Sequence, residues 1–170
     1  MRFTTEDYRK LGDHATSMTT GERAPTAVWA TLLGLLGDEE IRASHVEHVY
    51  PEPGNEGVSW CITAVTETRL LAVEAVNDAQ SWDSDTDQHD KRPSPYSKMM
   101  GRSFLLRDLA SVEVVDMEIK GDDDYAFTYR LRFRDSEFAV HLPRTRKIAR
   151  HYQERATCDA LAAILLRSGA

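Results

Sequence analysis

The sequence has little cysteine and no long apolar run, and each absence excludes a class of protein. Cys61 and Cys158 are its two cysteines, too few for a disulfide framework. No apolar run approaches the roughly 18 residues of a membrane-spanning helix. Residues 1–10 contain acids and lack the apolar stretch of a secretory signal. We therefore expect a cytoplasmic protein with free thiols and no integral membrane contact.

The motifs of common active sites are also missing. The sequence contains no Gly-rich phosphate loop, no G-x-S-x-G elbow and no H-E-x-x-H zinc motif. No repeat with a period of about 20 to 50 residues recurs, which excludes solenoids and propellers. We predict a single folded unit that is not an enzyme and that needs no cofactor.

Acidic residues outnumber basic ones. The 170 residues include 28 Asp and Glu against 21 Lys and Arg, which gives a formal net charge of −7. The field of such a chain repels nucleic acid and anionic lipid at long range, so we expect no nucleic-acid partner. With hydrophobic residues at 41%, a chain of this length has enough apolar side chains for one sizeable core.

Helical patterns dominate the first 37 residues. Thr4 and Asp7 have the spacing of a capping pair for a short helix that ends near residue 11. Pro25 suits the start of a second helix and Gly37 suits its end. Between them apolar residues recur at helical spacing: Val28, Leu32, Leu35 and Leu36. We predict an N-terminal helical extension over residues 1–37.

Alternation of apolar and polar residues after residue 39 predicts β-strands. VSWCITA is followed by TETR and then by LLAVEAV, which predicts two strands joined by a tight turn. The later apolar runs SFLLRDL and SVEVVDMEI predict further strands. Residues 79–102 show no periodicity, so we predict a loop there that is either disordered or functional. Its Trp82, Met99 and Met100 would serve as contact residues or pack against the fold.

The clearest pair of strands is YAFTYRLRFRDSEFAVHLP at 125–143. If Asp135 and Ser136 form a two-residue turn, residues whose numbers sum to 271 face each other. This register sets Arg134 against Glu137 and pairs apolar residues with one another: Phe133 with Phe138, Leu131 with Val140, and Tyr129 with Leu142. A slip by one residue would bury the arginines, and an unpaired buried guanidinium costs far more free energy than a turn preference gains.

Helical spacing returns after the last strand. One apolar face predicts a helix that reaches about Arg167: Ile148, Tyr152, Ala156, Ala160 and Ile164, widened by Leu161 and Leu165. At 1.5 Å per residue this helix would be on the order of 30 Å long, enough to lie across a small barrel. About seven strands and then a long helix predict an α+β fold that is mainly β.

Several of these segments also match a known domain family. They are LGDEEIRASHV, WCITAVTETRLLAVEAV, SFLLRDLASVEVV and YAFTYRLRFRDSEFAVHLP, and the family's Thr, turn and Arg-Leu-Leu are matched by Thr66, Arg69, Leu70 and Leu71. In this order they resemble the bacterial pleckstrin-homology-like domains of the GRAM type, over roughly residues 37 to 167. The resemblance implies a partly open antiparallel β-barrel of about seven strands over residues 38–170, capped by the C-terminal helix. It also implies a function in binding rather than catalysis.

The resemblance limits the ligand as well. Relatives that bind phosphoinositides carry Lys and Arg on the first strand and in the loop after it. Here that loop reads YPEPGNEG, with Glu52 and Glu56 and no cation. We therefore do not expect phosphoinositide binding. We expect a protein or peptide partner, or self-association into a homo-oligomer.

Basic residues form the predicted binding site. They lie on one face of a predicted strand and around the start of the final helix: Arg130, Arg132 and Arg134, then Arg144, Arg146, Lys147 and Arg150. Each cation at a helix start opposes the helix dipole at a cost of ~0.3 to 1 kcal/mol, so a functional reason is expected. The alternative is that acidic residues of the chain neutralise this patch.

Two motifs match metal sites only in part. Asp83, Asp85 and Asp87 have the spacing of a calcium loop, but Gln88 stands where that loop needs glycine, and Ser94 where it needs glutamate. The sequence HVEH places two histidines three residues apart, so on a strand they would point to opposite faces. We therefore predict no metal site.

The second hypothesis is a metal-dependent hydrolase or nuclease. Glu118 and Lys120 form an E-x-K element, and Asp116 would lie on the same face of the strand. The third hypothesis is a barrel that binds an apolar small ligand. Large residues such as Trp60, Phe127 and Phe133 would fill its interior, which argues against that hypothesis.

Overall fold

A computed structural model of the chain describes residues 4, 6, 9, 11–50, 57–78, 81–84, 98–121, 124–144 and 152–168. Over these residues the fold is α+β and mainly β, as predicted. The described residues include two complete α-helices, α1 (Thr26–Leu36) and α2 (Tyr152–Ser168). The strands are β1 (Ala43–Val49), β2 (Val58–Val65), β3 (Arg69–Asn77), β4 (Lys98–Leu105), β5 (Leu109–Gly121), β6 (Asp124–Phe133) and β7 (Ala139–Leu142).

The strands form two antiparallel sheets. One sheet has the order β1-β2-β3-β4 and the other has the order β5-β6-β7. Residues 66–68 separate β2 from β3, which confirms the predicted strand, turn and strand. Among the described residues, no helix is long and apolar enough to cross a membrane.

The central strands β2 and β3 of the four-stranded sheet are covered on both faces. Trp60 and Leu71 belong to an apolar cluster that includes Leu32 of α1. Val65 and Leu70 belong to a second cluster, together with residues of β6, β7 and α2. Because successive strand residues point to opposite faces, the two clusters lie on opposite sides of the sheet. The described part of the chain therefore has three layers, with the N-terminal segment as one of them.

The position of Trp60 corrects one prediction. We expected this side chain to fill a barrel interior, but it lies on the face that the N-terminal segment covers. Its Nε1–H donates to the carbonyl oxygen of Trp82 at 2.6 Å. Trp82 is buried too, so packing against the fold is confirmed for this residue.

Helix α1 has the predicted bounds. It begins directly after Pro25 and ends before Gly37, whose φ of 60° is one that glycine adopts readily. At the other end of the N-terminal segment, Leu11 is helical and a 3-10 helix follows at Gly12–Ala15, while Asp7 lies outside the described residues.

Two contacts hold α1 against the sheet. The guanidinium of Arg69 donates to the carbonyl oxygens of Leu35 at 2.8 Å and Leu36 at 2.7 Å, which satisfies the free acceptors at the helix end. The same guanidinium pairs with Glu39 at 2.6 Å. The second contact is between α1 and β4. A Cβ atom added to Gly101 of β4 would lie 2.6 Å from Cγ2 of Thr31 in α1. Glycine is therefore required there for the close approach of helix and strand.

The predicted register of β6 and β7 is confirmed, but the predicted turn is wrong. Leu131 faces Val140 and Tyr129 faces Leu142. β7 begins only at residue 139, so residues 134–138 connect the strands, and the expected pair of Phe133 and Phe138 is not part of the ladder. The chain turns at Asp135, which has a φ of 56°.

The two phenylalanines and the expected ion pair are placed differently as a result. Phe133 stacks on Phe104 of β4 with ring centroids 4.5 Å apart. Phe138 is 52% exposed, and the guanidinium of Arg102 lies over its ring, 3.5 Å from the ring centroid. Within the described residues no ion pair joins Arg134 to Glu137, which lie in the wider turn.

Two further predictions are corrected in part. β4 begins at Lys98, so the predicted loop is wrong for residues 98–102, and most of the rest of it lies outside the described residues.

The buried face of α2 also differs from the predicted face, because Ala156 and Ala160 are exposed. The buried residues are Cys158, Leu161, Ala162 and Leu165. The two leucines bury more apolar area than alanine can, so they set the orientation of the helix.

The glycines of this contact provide a matched pair of substitutions. We expect Gly101→Ala to lower the free energy of unfolding by about 1 kcal/mol or more, because the new methyl group overlaps Thr31. Gly34→Ala should raise it by about 0.5 to 1 kcal/mol, because outside the adjacent backbone of α1 no atom lies within 4 Å of that Cβ position. Urea denaturation measures both. Equal stabilisation by the two substitutions would show that α1 does not pack on β4.

The contribution of the Glu39 contacts to the free energy of unfolding should depend on pH. Hydrogen bonds from Thr66, and then from Thr68 and Arg69, lower the pKa of Glu39 from 4.5 to about 2. A lowered folded-state pKa stabilises the fold above pH 4.5, and this contribution is lost as the pH falls towards 2. We therefore expect the free energies of unfolding of the wild type and Glu39→Gln to differ at neutral pH and to converge near pH 2. Glu40→Gln, at the exposed neighbouring carboxylate, is the matched control for removal of one charge.

Candidate functional site

The hairpin of β5 and β6 extends beyond the rest of its sheet. The pairing of these strands continues out to Gly121 and Asp124, whereas β7 pairs only with residues 129–132 of β6. The outer half of the hairpin, residues 114–121 and 124–128, therefore has no third strand among the described residues. We call this outer half the arm.

One face of the arm is apolar and open to solvent. The register places Met117 opposite Phe127 and Ile119 opposite Tyr125. Val114, opposite the core residue Tyr129, begins this face. The exposed fractions are 58% for Val114, 49% for Met117, 65% for Ile119 and 42% for Tyr125. With Val115 at the bulge, these side chains present on the order of 400 Å² of apolar surface, as much as the largest patch on a typical monomer.

Aromatic side chains connect this apolar face to the core. Along β6 the ring centroids of Tyr125 and Phe127 are 6.5 Å apart, and those of Phe127 and Tyr129 are 6.2 Å apart. Tyr129 is buried, and its hydroxyl donates to Asp159 of α2 at 3.3 Å. The exposed face is therefore a continuation of the core surface beyond the layer that covers it.

The opposite face of the hairpin carries charges. Asp116 and Glu118 of β5 are exposed and lie opposite Thr128 and Ala126. Nearer the core, Glu113 pairs with Arg132 at 2.9 Å and with Arg130 at 3.5 Å. A hydrogen bond from Ser111, followed by the two guanidinium groups, lowers the pKa of Glu113.

The predicted basic site is divided in the structure. Arg130 and Arg132 lie together on the charged face of the hairpin, both paired with Glu113. Arg134 lies in the turn after β6, and its backbone N–H donates to the carbonyl oxygen of Asp108 at 2.7 Å. Arg144 lies elsewhere, and Arg146, Lys147 and Arg150 are outside the described residues. The binding role of the set stays a prediction.

Arg144 belongs to a polar network between the two sheets. Cys61 of β2 is flanked across the sheet by Glu47 of β1 and Glu74 of β3. The backbone N–H of Arg144 donates to Glu47 at 2.5 Å, and its guanidinium donates to Glu74. Nearby, Nδ1 of His45 lies 2.9 Å from the hydroxyl of Thr157 in α2. The network therefore ties β7 and α2 to the four-stranded sheet.

Among the described residues, the cavity beside this network is too small for a substrate. The cavity beside Glu74 and Arg144 has a volume of about 10 Å³, which is no more than one water molecule occupies. Glu47 and His45 are buried. A buried charge is tolerated when it is paired and hydrogen-bonded, so we interpret the network as a structural link between the layers.

The two histidines of β1 point to opposite faces, as predicted. His45 faces α2, whereas His48 stacks on Trp60 with ring centroids 4.0 Å apart. Across the described residues no group of three or more His, Cys, Asp or Glu side chains could hold a metal ion. Asp85 and Asp87 of the partial calcium loop lie outside those residues.

The other two hypotheses stay untested. Asp116 and Glu118 lie exposed on the charged face of the arm, and the Asp116 carboxylate accepts the N–H of Met117 at 2.8 Å. For an apolar ligand, a groove of about 260 Å³ lies between the 3-10 helix, β1 and α2, outside the inter-sheet core. Pockets for small molecules usually have volumes of about 300 to 1,000 Å³, so this groove gives that hypothesis little support.

Sequence reasoning missed the apolar face of the arm. The strand pattern predicted that Val112, Val114 and Met117 lie in a strand, but not that its outer half is uncovered. The lengths of the strands are a signal that could have indicated this uncovered outer half. β5 and β6 have 13 and 10 residues, but only a few residues separate the turn at Asp135 from Pro143. The described third strand, Ala139–Leu142, therefore does not follow the hairpin to its end.

Comparisons with protein-family models, with curated proteins and with solved structures found no match for this chain.

Both cysteines should be unreactive in the folded protein. Burial raises the pKa of Cys61, and the nearby Glu47 and Glu74 raise it further; burial also raises the pKa of Cys158. Because the thiolate is the reactive form, labelling by a thiol reagent at about pH 8 should be at least ~100-fold slower than for a free thiol. Both thiols should react once denaturant unfolds the chain. Rapid labelling of either thiol in the folded protein would contradict its burial.

Proposed function

We propose that this protein is a non-catalytic binding module that binds a protein partner through the apolar face of the arm. The observation that carries the proposal is the run of exposed Val114, Met117, Ile119 and Tyr125 on one face of the hairpin. Exposed apolar patches of this size are typical of interaction sites. The acidic net charge supports a protein partner over a nucleic acid.

The hydrophobic contribution to the free energy of binding at the arm has the magnitude expected for a reversible complex. Removing on the order of 400 Å² of apolar surface from water contributes about 10 kcal/mol at ~25 cal/mol per Å². Loss of translational and rotational freedom on association costs roughly 4 to 15 kcal/mol. The arm alone therefore supports a weak complex, and contacts at its polar rim would determine whether the complex becomes tight.

The scaffold we propose is a partly open β-barrel of the pleckstrin-homology-like type. A four-stranded and a three-stranded antiparallel sheet, with a C-terminal helix packed against β1 and β6, support it. Free cysteines at both positions are typical of a reducing compartment, so we propose that the protein acts in the cytoplasm.

The basic residues have a smaller part in this proposal. Arg130 and Arg132 are engaged with Glu113, and Arg144 with Glu74. These pairs favour the alternative that acids of the chain neutralise the predicted basic site. Arg134, in the exposed turn, is the described member best placed for an outside contact.

Substitutions on the two faces of the arm test the proposal. We expect the double variant Met117→Asp and Ile119→Asp to lose a protein that co-purifies with the wild type from the native cytosol. Glu118→Gln, on the opposite face of the same strand, should retain it. Thermal unfolding of all three proteins should agree closely, because both substituted side chains are already about half exposed or more.

Two outcomes would contradict the proposal. Retention of the partner by the Asp variant would place binding elsewhere on the protein. Nuclease activity of the wild type that Glu118→Gln abolishes would instead favour the hydrolase hypothesis.

A further inference from the structure

The apolar face of the arm is uncharged as well as exposed. The register of β5 with β6 places five side chains on it: Val114, Met117, Ile119, Tyr125 and Phe127. Because the register shifts at Val115, Val114 and Met117 share a face although their numbers differ by three. Asp116 and Glu118 alternate with these residues along β5 and lie on the other face. A charged segment of a partner would therefore find no opposite charge among the five side chains.

The composition of this face is that of the centre of a protein interface. Aromatic residues and methionine are enriched in the buried centre of interfaces, whereas Asp, Glu and Lys are depleted there. Met117 is 49% exposed and Tyr125 is 42% exposed, so both side chains are accessible to a partner. An uncharged apolar face is matched best by another such face, and a second copy of the chain brings one.

The area of two arms agrees with the area that a dimer needs. A standard interface buries roughly 1,600 Å² in total, of which about 57% is apolar, or about 900 Å². One arm presents on the order of 400 Å² of apolar surface, so two arms packed face to face would bury about 800 Å². The two faces alone would therefore supply nearly all the apolar area of such an interface.

The arm is also long enough for two copies to overlap. β7 pairs with residues 129–132 of β6, whereas β6 begins at Asp124. At about 3.4 Å per residue, residues 124–128 extend roughly 17 Å beyond that pairing. The apolar faces of two such arms can pack on each other with their strands nearly aligned, as in two packed sheets.

We infer that the arm binds the arm of a second copy of this chain, face to face around a twofold axis. In a twofold interface the same patch is used by both copies, so a residue near the axis contacts its own counterpart. Met117 and Phe127 form the middle row of the face and would lie near the axis. Val114 of one copy would then contact Ile119 of the other. This inference rests on the proposed function, since it names the occupant of the same site.

The charges of the chain are compatible with this arrangement. Asp116 and Glu118 lie on the face that points away from the second arm, so the interface does not bring these acids together. Each copy carries a net charge of −7, so the two copies repel each other at long range. Salt screens this repulsion, with a screening length of about 8 Å at physiological ionic strength. Added salt should therefore strengthen the dimer, whereas it weakens a complex that depends on ion pairs.

Sedimentation equilibrium tests the association. We expect a dimer with a dissociation constant in the micromolar range or tighter. It should bind at least ~3-fold more tightly in about 0.5 M than in about 0.05 M sodium chloride. Met117→Gln with Ile119→Thr keeps the net charge and should weaken the dimer at least tenfold, because each substitution acts in both copies. Asp116→Asn with Glu118→Gln, on the opposite face, is the matched control and should not weaken it.

Cross-linking tests the position of the axis. The two native cysteines are buried, so a cysteine introduced on the arm is the accessible thiol. Mild oxidation should link two copies of Met117→Cys to each other, and Val114→Cys should link to Ile119→Cys more than either links to itself. Glu118→Cys, on the opposite face, should stay unlinked at the same protein concentration. Equal linking through Met117→Cys and Glu118→Cys would indicate random collisions and would overturn the inference.

The failure of this inference can be told apart from the failure of the proposed function. A monomeric wild type from which Met117→Gln with Ile119→Thr removes a different co-purifying protein would overturn the inference and leave the proposed function standing. A dimer that the opposite-face control dissociates and the apolar-face variant does not would also overturn the inference. If neither a dimer nor a co-purifying protein depended on Met117 and Ile119, both would fail.

Discussion

Burial of β2 and β3 on both faces is the constraint on which the rest of the structure depends. A sheet needs a covering layer on each apolar face, and in this protein the layers come from opposite ends of the chain. Helix α1 and the segment before it cover the face of Trp60. The three-stranded sheet and α2 cover the other face. The N-terminal segment is therefore part of the folded unit, held by Arg69 at the end of α1.

The same constraint explains the polar network between the sheets. The inter-sheet face of β1 to β3 carries His45, Glu47, Cys61 and Glu74 among its apolar residues. Buried polar groups must find partners inside the protein: His45 finds one on α2, and Glu47 and Glu74 find theirs at Arg144, just after β7. The network thus specifies how the layers dock. The apolar arm shows the reverse distribution, with apolar side chains exposed where the covering layer ends.

The bounds of elements and the register of neighbouring strands could be predicted from the sequence. The contacts between elements distant in the sequence could not. The bounds of α1 follow from Pro25 and Gly37, and the register of β6 with β7 follows from the alternation of arginine and apolar residues. The turn could not be predicted in this way, because Phe133 stacks on Phe104 of a distant strand and does not face Phe138. The orientation of α2 depended on the sheet that it meets. Of the candidate site, the strands could be predicted but not the exposure of Met117 and Ile119.

The sequence by itself determined the periodic elements, their order and one strand register, because period and turn chemistry act between neighbouring residues. The tertiary structure alone decided which apolar residues are covered. Met117 and Leu131 belong to the same kind of alternating strand, yet one is half exposed and the other fully buried. The difference arises because β7 pairs beside Leu131 and the second cluster surrounds this side chain, whereas no described strand pairs beside the arm. Whether a side chain is buried depends on which segments pack against it, and these segments are distant in the sequence.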